Sequence, residues 1–512
     1  MSLPPQKRNP WITRSISRTA EGSIWEPLAS GLHGEPEHES AAPPDVDSSA
    51  AGVENDKPIA EQLVELLGAD RVSTEPDILA AHATDKWNAR HEPDVVVLAR
   101  STEDVSKTLA WAHRHRVPVT TRGGGIGYVG GCVPICGGIA LALAGMDKIL
   151  EIKPADGVAV VQPGVITVAL RDAARAVGWD YPPDPASLKE CTIGGNIATN
   201  AGGPRCLKYG VTRNYVLGLE VVLANGRVLR AGGRVHKNKT GFDLVGLFTG
   251  SEGMLGVITE ATLRLIPRPP ARAMLAAVFP EFPSAAAAVQ AILNAGHLPS
   301  ALEITDGFTL AAARKRLGED SLPAGQAHLI VEIDGNASAI TAELDELDAI
   351  IRHLGATSIT RAPDEAGCEA IWQLRRDFSY ALRDTGLHKL NEDIVVPRSK
   401  LVDLVNFARM LEAETGIPLA CFGHAGDGNI HTNLMVANYD DPVTRERAHA
   451  ALDILFTWVL ENGGAITGEH GVGLAKKPWI HEALGETSLA VHRTLKRALD
   501  PHGILNPGKF LD

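Results

Sequence analysis

The chain has 512 residues, too many for one hydrophobic core, so two or three domains are expected. Its 44% apolar and 22% charged residues are those of a globular protein, and 51 glycines suit a loop-rich ligand cradle. A net charge of −13 argues against a nucleic-acid partner and against tight binding to anionic lipid, and no run approaches the roughly 18 apolar residues of a membrane span.

Residues 1–56 read as a tail: Pro, Ser, Ala and acidic residues dominate and apolar periodicity is missing. Lys7, Arg8, Arg14 and Arg18 occur there before any acid, a pattern compatible with a mitochondrial-type targeting segment as well as with a disordered leader. From Pro58 the pattern changes, with Ile59, Leu63, Leu66 and Leu67 at helical spacing. Val95 to Ala99 reads as a buried strand, Thr102 to His113 as a helix capped by Ser101 or Thr102, and Val117 to Thr120 as a strand. Further strands over 138–143, 158–162, 217–223 and 257–265 alternate with short helices such as 165–177, which is α+β or α/β packing. Arg268-Pro269-Pro270 breaks the chain and is read as a domain boundary. Beyond it, helices over 285–295 and 338–354 and strands over 328–333 and 394–397 suggest a sheet covered by helices on one face. Residues 440–512 read as helical and then glycine-rich. The six cysteines form no C-x2-C-x2-C run, so an iron–sulfur cluster on this chain is not expected, and they read as buried reduced thiols.

Three segments carry the glycines that matter. The first is Arg122-Gly123-Gly124-Gly125-Ile126-Gly127, whose Gly125-x-Gly127-x-x-Gly130 has the spacing of a dinucleotide fingerprint. Such a fingerprint must open a helix whose N-terminus holds a pyrophosphate. Here the chain continues through Gly131, Pro134, Gly137 and Gly138, which cannot propagate a helix. What remains is a nest, a run of small residues whose N–H groups can turn toward an anion. The second segment runs from Thr192-Ile193-Gly194-Gly195 to Asn200-Ala201-Gly202-Gly203, and the third is Ser251-Glu252-Gly253-Met254-Leu255-Gly256-Val257-Ile258-Thr259. Pro182-Pro183-Asp184-Pro185-Ala186-Ser187 forms a rigid, hydroxyl-bearing turn ahead of the second. Each alone is only a tight turn.

The C-terminal half carries a different kind of signal. In Cys421-Phe422-Gly423-His424-Ala425-Gly426-Asp427-Gly428-Asn429-Ile430-His431-Thr432-Asn433, Asp427-Gly428 predicts a two-residue hairpin turn. That register sets His424 directly opposite His431, with Cβ atoms about 5 Å apart, suited to two imidazoles sharing one cation. Thr467-Gly468-Glu469-His470-Gly471 adds a carboxylate and another imidazole in a glycine-flanked turn. Two imidazoles and a carboxylate suit Zn2+, Mn2+ or Fe2+. Adjacent residues of an extended segment point opposite ways, which would divide Glu469 from His470, although a glycine-flanked turn weakens that argument.

The three glycine-rich segments, in this order, resemble the flavin-cradling loops of the vanillyl-alcohol-oxidase/PCMH flavoprotein family. The histidine and carboxylate segments, with Asn506-Pro507-Gly508-Lys509, resemble its FAD-linked 2-hydroxy-acid dehydrogenases: cytochrome-type D-lactate dehydrogenase, the glycolate oxidase D subunit and D-2-hydroxyglutarate dehydrogenase. The match runs from about Pro93 to Lys509. It implies an α+β fold, with a PCMH-type FAD-binding domain of two α/β subdomains over 57–268. An FAD-linked oxidase C-terminal domain, an antiparallel sheet covered by helices, would occupy 269–512, its last part from about 460 packing back on the flavin. The resemblance assigns FAD to Gly123, Gly124, Gly125, Ile126, Gly127, Pro183, Ser187, Gly194, Gly195, Asn200, Gly202, Glu252, Gly256, Ile258 and Asn506. Many relatives carry a covalently linked histidine in the first loop; no histidine lies between His115 and His236, so the FAD is expected to be noncovalent. Ile126 stands where many relatives have threonine. His424, His431 and Glu469 would be ligands of a divalent metal, His470 the base, Arg375 the partner of the substrate carboxylate, and Asn433 a further substrate contact. Implied partners are a small 2-hydroxy acid and an electron acceptor, whether quinone, cytochrome or iron–sulfur protein. A homodimer is left open. So is the location, cytoplasmic with or without attachment at the inner membrane, or mitochondrial. An alkyl-dihydroxyacetone-phosphate synthase-like enzyme and a non-catalytic flavin-binding subunit remain alternatives, because fold alone does not set chemistry.

Overall fold

A computed structural model describes residues 57–87 and 89–511; the tail expected over 1–56 lies outside the described residues. The first sheet has four strands, β1 (Val72–Ser73), β2 (Val95–Leu98), β3 (Val119–Arg122) and β4 (Ile139–Ala142), in the order β1-β2-β4-β3. The last three are parallel and β1 is antiparallel. Helix Thr102–His115 starts where Ser101 accepts the Asp104 N–H, and it buries Val105, Leu109 and Ala112 with the apolar residues of β2 and β4. The second sheet is antiparallel, ordered β5-β6-β10-β8-β9: β5 (Ile149–Lys153), β6 (Val158–Val161), β8 (Val216–Val222), β9 (Val228–Gly232) and β10 (Val257–Arg264). A two-stranded pair, β7 (Trp179–Asp180) with β11 (Ile266–Pro267), stands beside it.

The third sheet has seven strands, all paired antiparallel: β12 (Ala271–Phe279), β13 (Ala301–Asp306), β14 (Ala327–Gly335), β15 (Ser358–Ala362), β16 (His388–Val395), β17 (Leu419–His424) and β18 (Asn429–Val436), in the order β15-β12-β14-β13-β17-β18-β16. Period-2 alternation shows on β12. Ala273, Leu275, Ala277 and Phe279 enter the main core with helices Phe282–Asn294, Ala337–His353, Leu401–Thr415 and Pro442–Glu461, while Met274 and Ala276 face Ile371 and Trp372. Helices therefore lie on both faces, not on one as the pattern suggested. Glu365–Arg383 and Gly307–Leu317 cover part of the second face, and the uncovered part carries the site.

Residues 504–506 return to the first sheet. The Val119 N–H donates to Ile504 O (2.8 Å), the Asn506 N–H donates to Val119 O (2.8 Å), and Ile504 and Leu505 join that sheet's core. No helix among the described residues is long and apolar enough to cross a membrane.

Candidate active site

A cavity of about 1190 Å³ runs between the glycine-rich segments and the open face of the seven-stranded sheet. Gly123, Gly124, Gly125, Ile126 and Gly127, at the end of β3, line one wall with Ser187, Gly194, Gly195, Gly202, Glu252, Gly256 and Ile258. The residues after Gly127 form turns and no helix, as the glycines and proline there require. Gly125 takes a positive φ of 67°, and among the described residues no carbonyl or side chain takes up the N–H groups of Gly124, Gly125, Ile126 and Gly127. This is the nest an anion needs. The second segment is not a loop throughout: Ile193–Thr199 is a short helix, capped by the Thr192 hydroxyl accepting the Gly195 N–H. The two segments meet so closely that a Cβ on Gly123 would stand 2.5 Å from Thr192 Oγ1, and the second also packs on Pro163, whose Cβ one on Gly194 would approach to 2.6 Å. A pocket of this size with unpaired backbone N–H groups fits a flavin dinucleotide.

Four of the expected cofactor and substrate residues stand outside this lining. Pro183 and Asn200 do not line the cavity, and Asn200 instead accepts the Arg213 N–H. Asn506 donates to Gly131 O (2.9 Å) and Glu252 O (2.7 Å), tying two of the glycine-rich segments together. Asn433 is fully buried and donates to Ala420 O and His431 O within its own sheet. Glu252 lines the wall while its carboxylate accepts the Val472 and Gly473 N–H groups, both at 2.8 Å.

The opposite wall holds Arg375, His424, His431, Glu469 and His470. The hairpin is not the two-residue turn expected. Residues 425–428 make a four-residue loop in which Asp427 and Gly428 both donate to His424 O, so His424 pairs with Asn429 and His431 with Phe422. The first half of this loop is drawn into the fold, because the Gly426 N–H donates to Leu302 O and Ala425 is buried. The imidazoles are therefore diagonal neighbours on one face, with ring centroids 5.7 Å apart. Their partner arrives from a distant segment: Glu469 lies 3.2 Å from His424 Nε2 and 3.9 Å from His431 Nε2. One ligand atom from each of the three lies within 4.8 Å of the others. The donor set fits one divalent cation.

Several residues that organise this wall carried no sequence signal. Glu303 on β13, fully buried, accepts from His424 Nδ1 and from Arg375 Nε (2.8 Å). Burial alone would raise its pKa, but the charges of His424 and Arg375 outweigh it and hold the carboxylate at about 2. His424 is raised well above the ordinary imidazole value: burial lowers it, and Glu303 and Glu469 more than compensate. Burial pushes His431 down to about 3, and pushes His470 down against the pull of Asp393. His470 stacks between Tyr128 of the glycine-rich wall and His431, at 5.3 and 5.7 Å between ring centroids. Lys389, beyond Arg375, lines the same cavity, held down to about 8 by burial and then by the charges of Arg383 and Arg375. The only hydrogen bond of its ammonium among the described residues is to Ser379 Oγ (3.4 Å), and no carboxylate pairs with it.

Comparison with known proteins gives a consistent result. Residues 93–232 match the FAD binding domain, and residues 268–510 match the C-terminal domain of FAD linked oxidases. The glycolate oxidase subunit GlcD of Bacillus subtilis (strain 168) is 38% identical over 459 residues, 89% of this chain and 97% of that protein. A D-lactate dehydrogenase of Archaeoglobus fulgidus is 36% identical, over 86% of this chain and 95% of that one. Among solved structures, p-cresol methylhydroxylase with substrate bound has a TM-score of 0.71 at 20% identity, covering 88% of this chain and 96% of its own. An alkyldihydroxyacetonephosphate synthase has a TM-score of 0.68 at 21% identity, covering 88% and 86%. These two show the fold.

Proposed function

This chain belongs to the FAD-linked oxidases of the VAO/PCMH flavoprotein family, and from that premise we propose that it oxidises a D-2-hydroxy acid, D-lactate or glycolate foremost, to the 2-oxo acid. FAD is bound noncovalently in the glycine-rich wall, and His424, His431 and Glu469 hold Zn2+, Mn2+ or Fe2+. The observation that carries this reading is the meeting of two imidazoles and a carboxylate with Arg375 and His470 on the wall facing the flavin cradle.

Bound FAD supplies the acceptor for the hydride that leaves C2. The cation supplies a Lewis acid that lowers the pKa of the substrate hydroxyl. Everything else falls to the chain. Glu303 fixes His424 Nδ1, which turns Nε2 toward Glu469, the orientation a ligand nitrogen needs. The same carboxylate engages Nε and one terminal nitrogen of Arg375, leaving the other terminal nitrogen to hold the substrate carboxylate. Phe422 lies under that guanidinium, 4.7 Å from its central carbon, and keeps it in one plane. His470, held neutral by burial, takes the hydroxyl proton. Electrons leave to a quinone, a cytochrome or an iron–sulfur partner, since this sequence has no cluster motif.

Lys389 favours a second reading of the substrate. A half-buried ammonium without a carboxylate, beside Arg375, suits a substrate with another anionic group, as in D-2-hydroxyglutarate. Anaerobic mixing with a panel of D- and L-2-hydroxy acids tests both readings. Bleaching of the flavin by D-lactate or glycolate supports the first, and preferential bleaching by D-2-hydroxyglutarate the second. No bleaching by any member, with FAD still bound, leaves the non-catalytic flavin-binding subunit and the synthase-like enzyme.

A further inference from the structure

We propose that Asp393, near the end of β16, is the positioning residue that holds the metal ligand Glu469 and the base His470 on the same side of their turn. The assignment rests on the metal and base reading above. Asp393 is fully buried and stands opposite His431 in the register of β16 with β18. Its Oδ2 accepts four donors: the Thr467 hydroxyl (3.0 Å) and the N–H groups of Gly468 (3.0 Å), Glu469 (2.8 Å) and His470 (2.9 Å). Its Oδ1 accepts the Asn429 amide at 2.7 Å. One carboxylate thus ties together β16, the hairpin that carries both ligand histidines, and the turn that carries the third ligand and the base.

This explains how two adjacent residues both reach the cavity. In an extended segment Glu469 and His470 would point to opposite sides. Three successive N–H groups can converge on one oxygen only if the backbone curls around it. Curled in this way, the turn sends both side chains toward the cavity, where both line the wall. The fit depends on charge as well as shape. Lys476 Nζ stands 3.9 Å from Oδ2 and donates to Asp393 O at 3.0 Å, and His470 Nδ1 lies 3.9 Å from Oδ2. An asparagine of the same shape keeps one oxygen and presents an NH2 group in place of the other. In one rotamer that NH2 faces the three N–H groups, and in the other it faces the Asn429 NH2. Neither arrangement satisfies every donor.

The test compares wild type with Asp393→Asn as FAD-loaded proteins, measuring Zn2+ affinity by equilibrium dialysis and anaerobic flavin reduction at saturating Zn2+. The substrate is the 2-hydroxy acid that bleaches the wild type. The expected result is unchanged FAD content, Zn2+ affinity weakened about 10- to 100-fold, and a slow flavin reduction that added Zn2+ does not restore, because His470 is displaced as well. A residue that merely stabilised the fold would lower the melting temperature but leave both values unchanged in the folded fraction. Wild-type Zn2+ affinity together with a wild-type metal-saturated rate overturns the assignment. If Asp393→Asn does not fold, Thr467→Val removes one of the five bonds, and with it the bond its hydroxyl accepts from the Gly471 N–H in the same turn, and is expected to weaken Zn2+ about threefold to tenfold; unchanged affinity there overturns it equally. A wild type that takes up no Zn2+ is a failure of the metal reading instead, and the flavin-reduction rates alone then decide the part of the assignment that concerns His470.

Discussion

The two walls of the cavity are built on opposite principles. The glycine-rich wall offers backbone: its chemistry is N–H groups, and what matters at Gly123 or Gly194 is that nothing projects. The opposite wall offers side chains, and each is held by another that is buried behind it. Glu303 holds His424 and Arg375, and Asp393 holds the turn of Glu469 and His470. A backbone cradle tolerates a change such as Ile126 for threonine, because no side chain carries the contact. A side-chain cluster tolerates almost none.

Four predictions press on this contrast. The largest effect is expected at the ligands. His424→Ala or His431→Ala, or chelation of the wild type, should remove turnover with 2-hydroxy acids by on the order of a thousandfold or more while leaving the flavin spectrum intact. Metal-free protein of full activity would sink the ligand assignment. Next, His470→Asn should slow flavin reduction by about 10² to 10⁴ with the metal retained, whereas Glu469→Gln should lose the metal. The reverse pattern would exchange their roles. On the other wall, Gly123→Ala should weaken FAD by about 1–3 kcal/mol, the usual cost of overpacking, since its new methyl meets Thr192 Oγ1. Metal content should not change. Wild-type FAD affinity in Gly123→Ala would show that this close approach is not needed. Acid precipitation should release all the yellow chromophore from wild type; colour retained in the pellet would contradict noncovalent binding.

The sequence disclosed the two walls unequally. The glycine-rich segments were legible through their order along the chain, and His424 with His431 through their spacing about a turn; Glu469 joined them only through the family resemblance. Glu303 and Asp393 were not. In Ala301-Leu302-Glu303-Ile304-Thr305-Asp306 the acid alternates with apolar residues and reads as the solvent side of a strand, yet it is fully buried and its partner lies 121 residues on. Lys389 was hidden in the same way on β16. The hairpin register was missed because Asp-Gly is a good two-residue turn locally, while Leu302, far away in sequence, draws the loop into four residues. Local turn chemistry lost to a tertiary hydrogen bond.

The smallest expected effect tests whether the backbone wall has side-chain supports of its own. Asn506 adopts a left-handed φ of 45°, and its amide donates to Gly131 O and Glu252 O, bridging the first and third glycine-rich segments. Asn506→Ala loses both bonds, roughly 1 kcal/mol each, and adds left-handed strain of about 1 kcal/mol. Asn506→Gly loses the bonds without the strain, since glycine accepts that conformation. Asn506→Asp is expected to be worst, because it sets a carboxylate against two carbonyl oxygens. The melting temperature of the FAD-loaded protein should therefore fall in the order wild type, Gly, Ala, Asp, by on the order of a few degrees per step. Flavin reduction in the folded protein should stay within a fewfold of wild type. If Ala and Gly melt together, the left-handed backbone at this position carries no cost. If flavin reduction instead collapses while the melting temperature holds, Asn506 contacts the cofactor directly and does not act as a tie between loops.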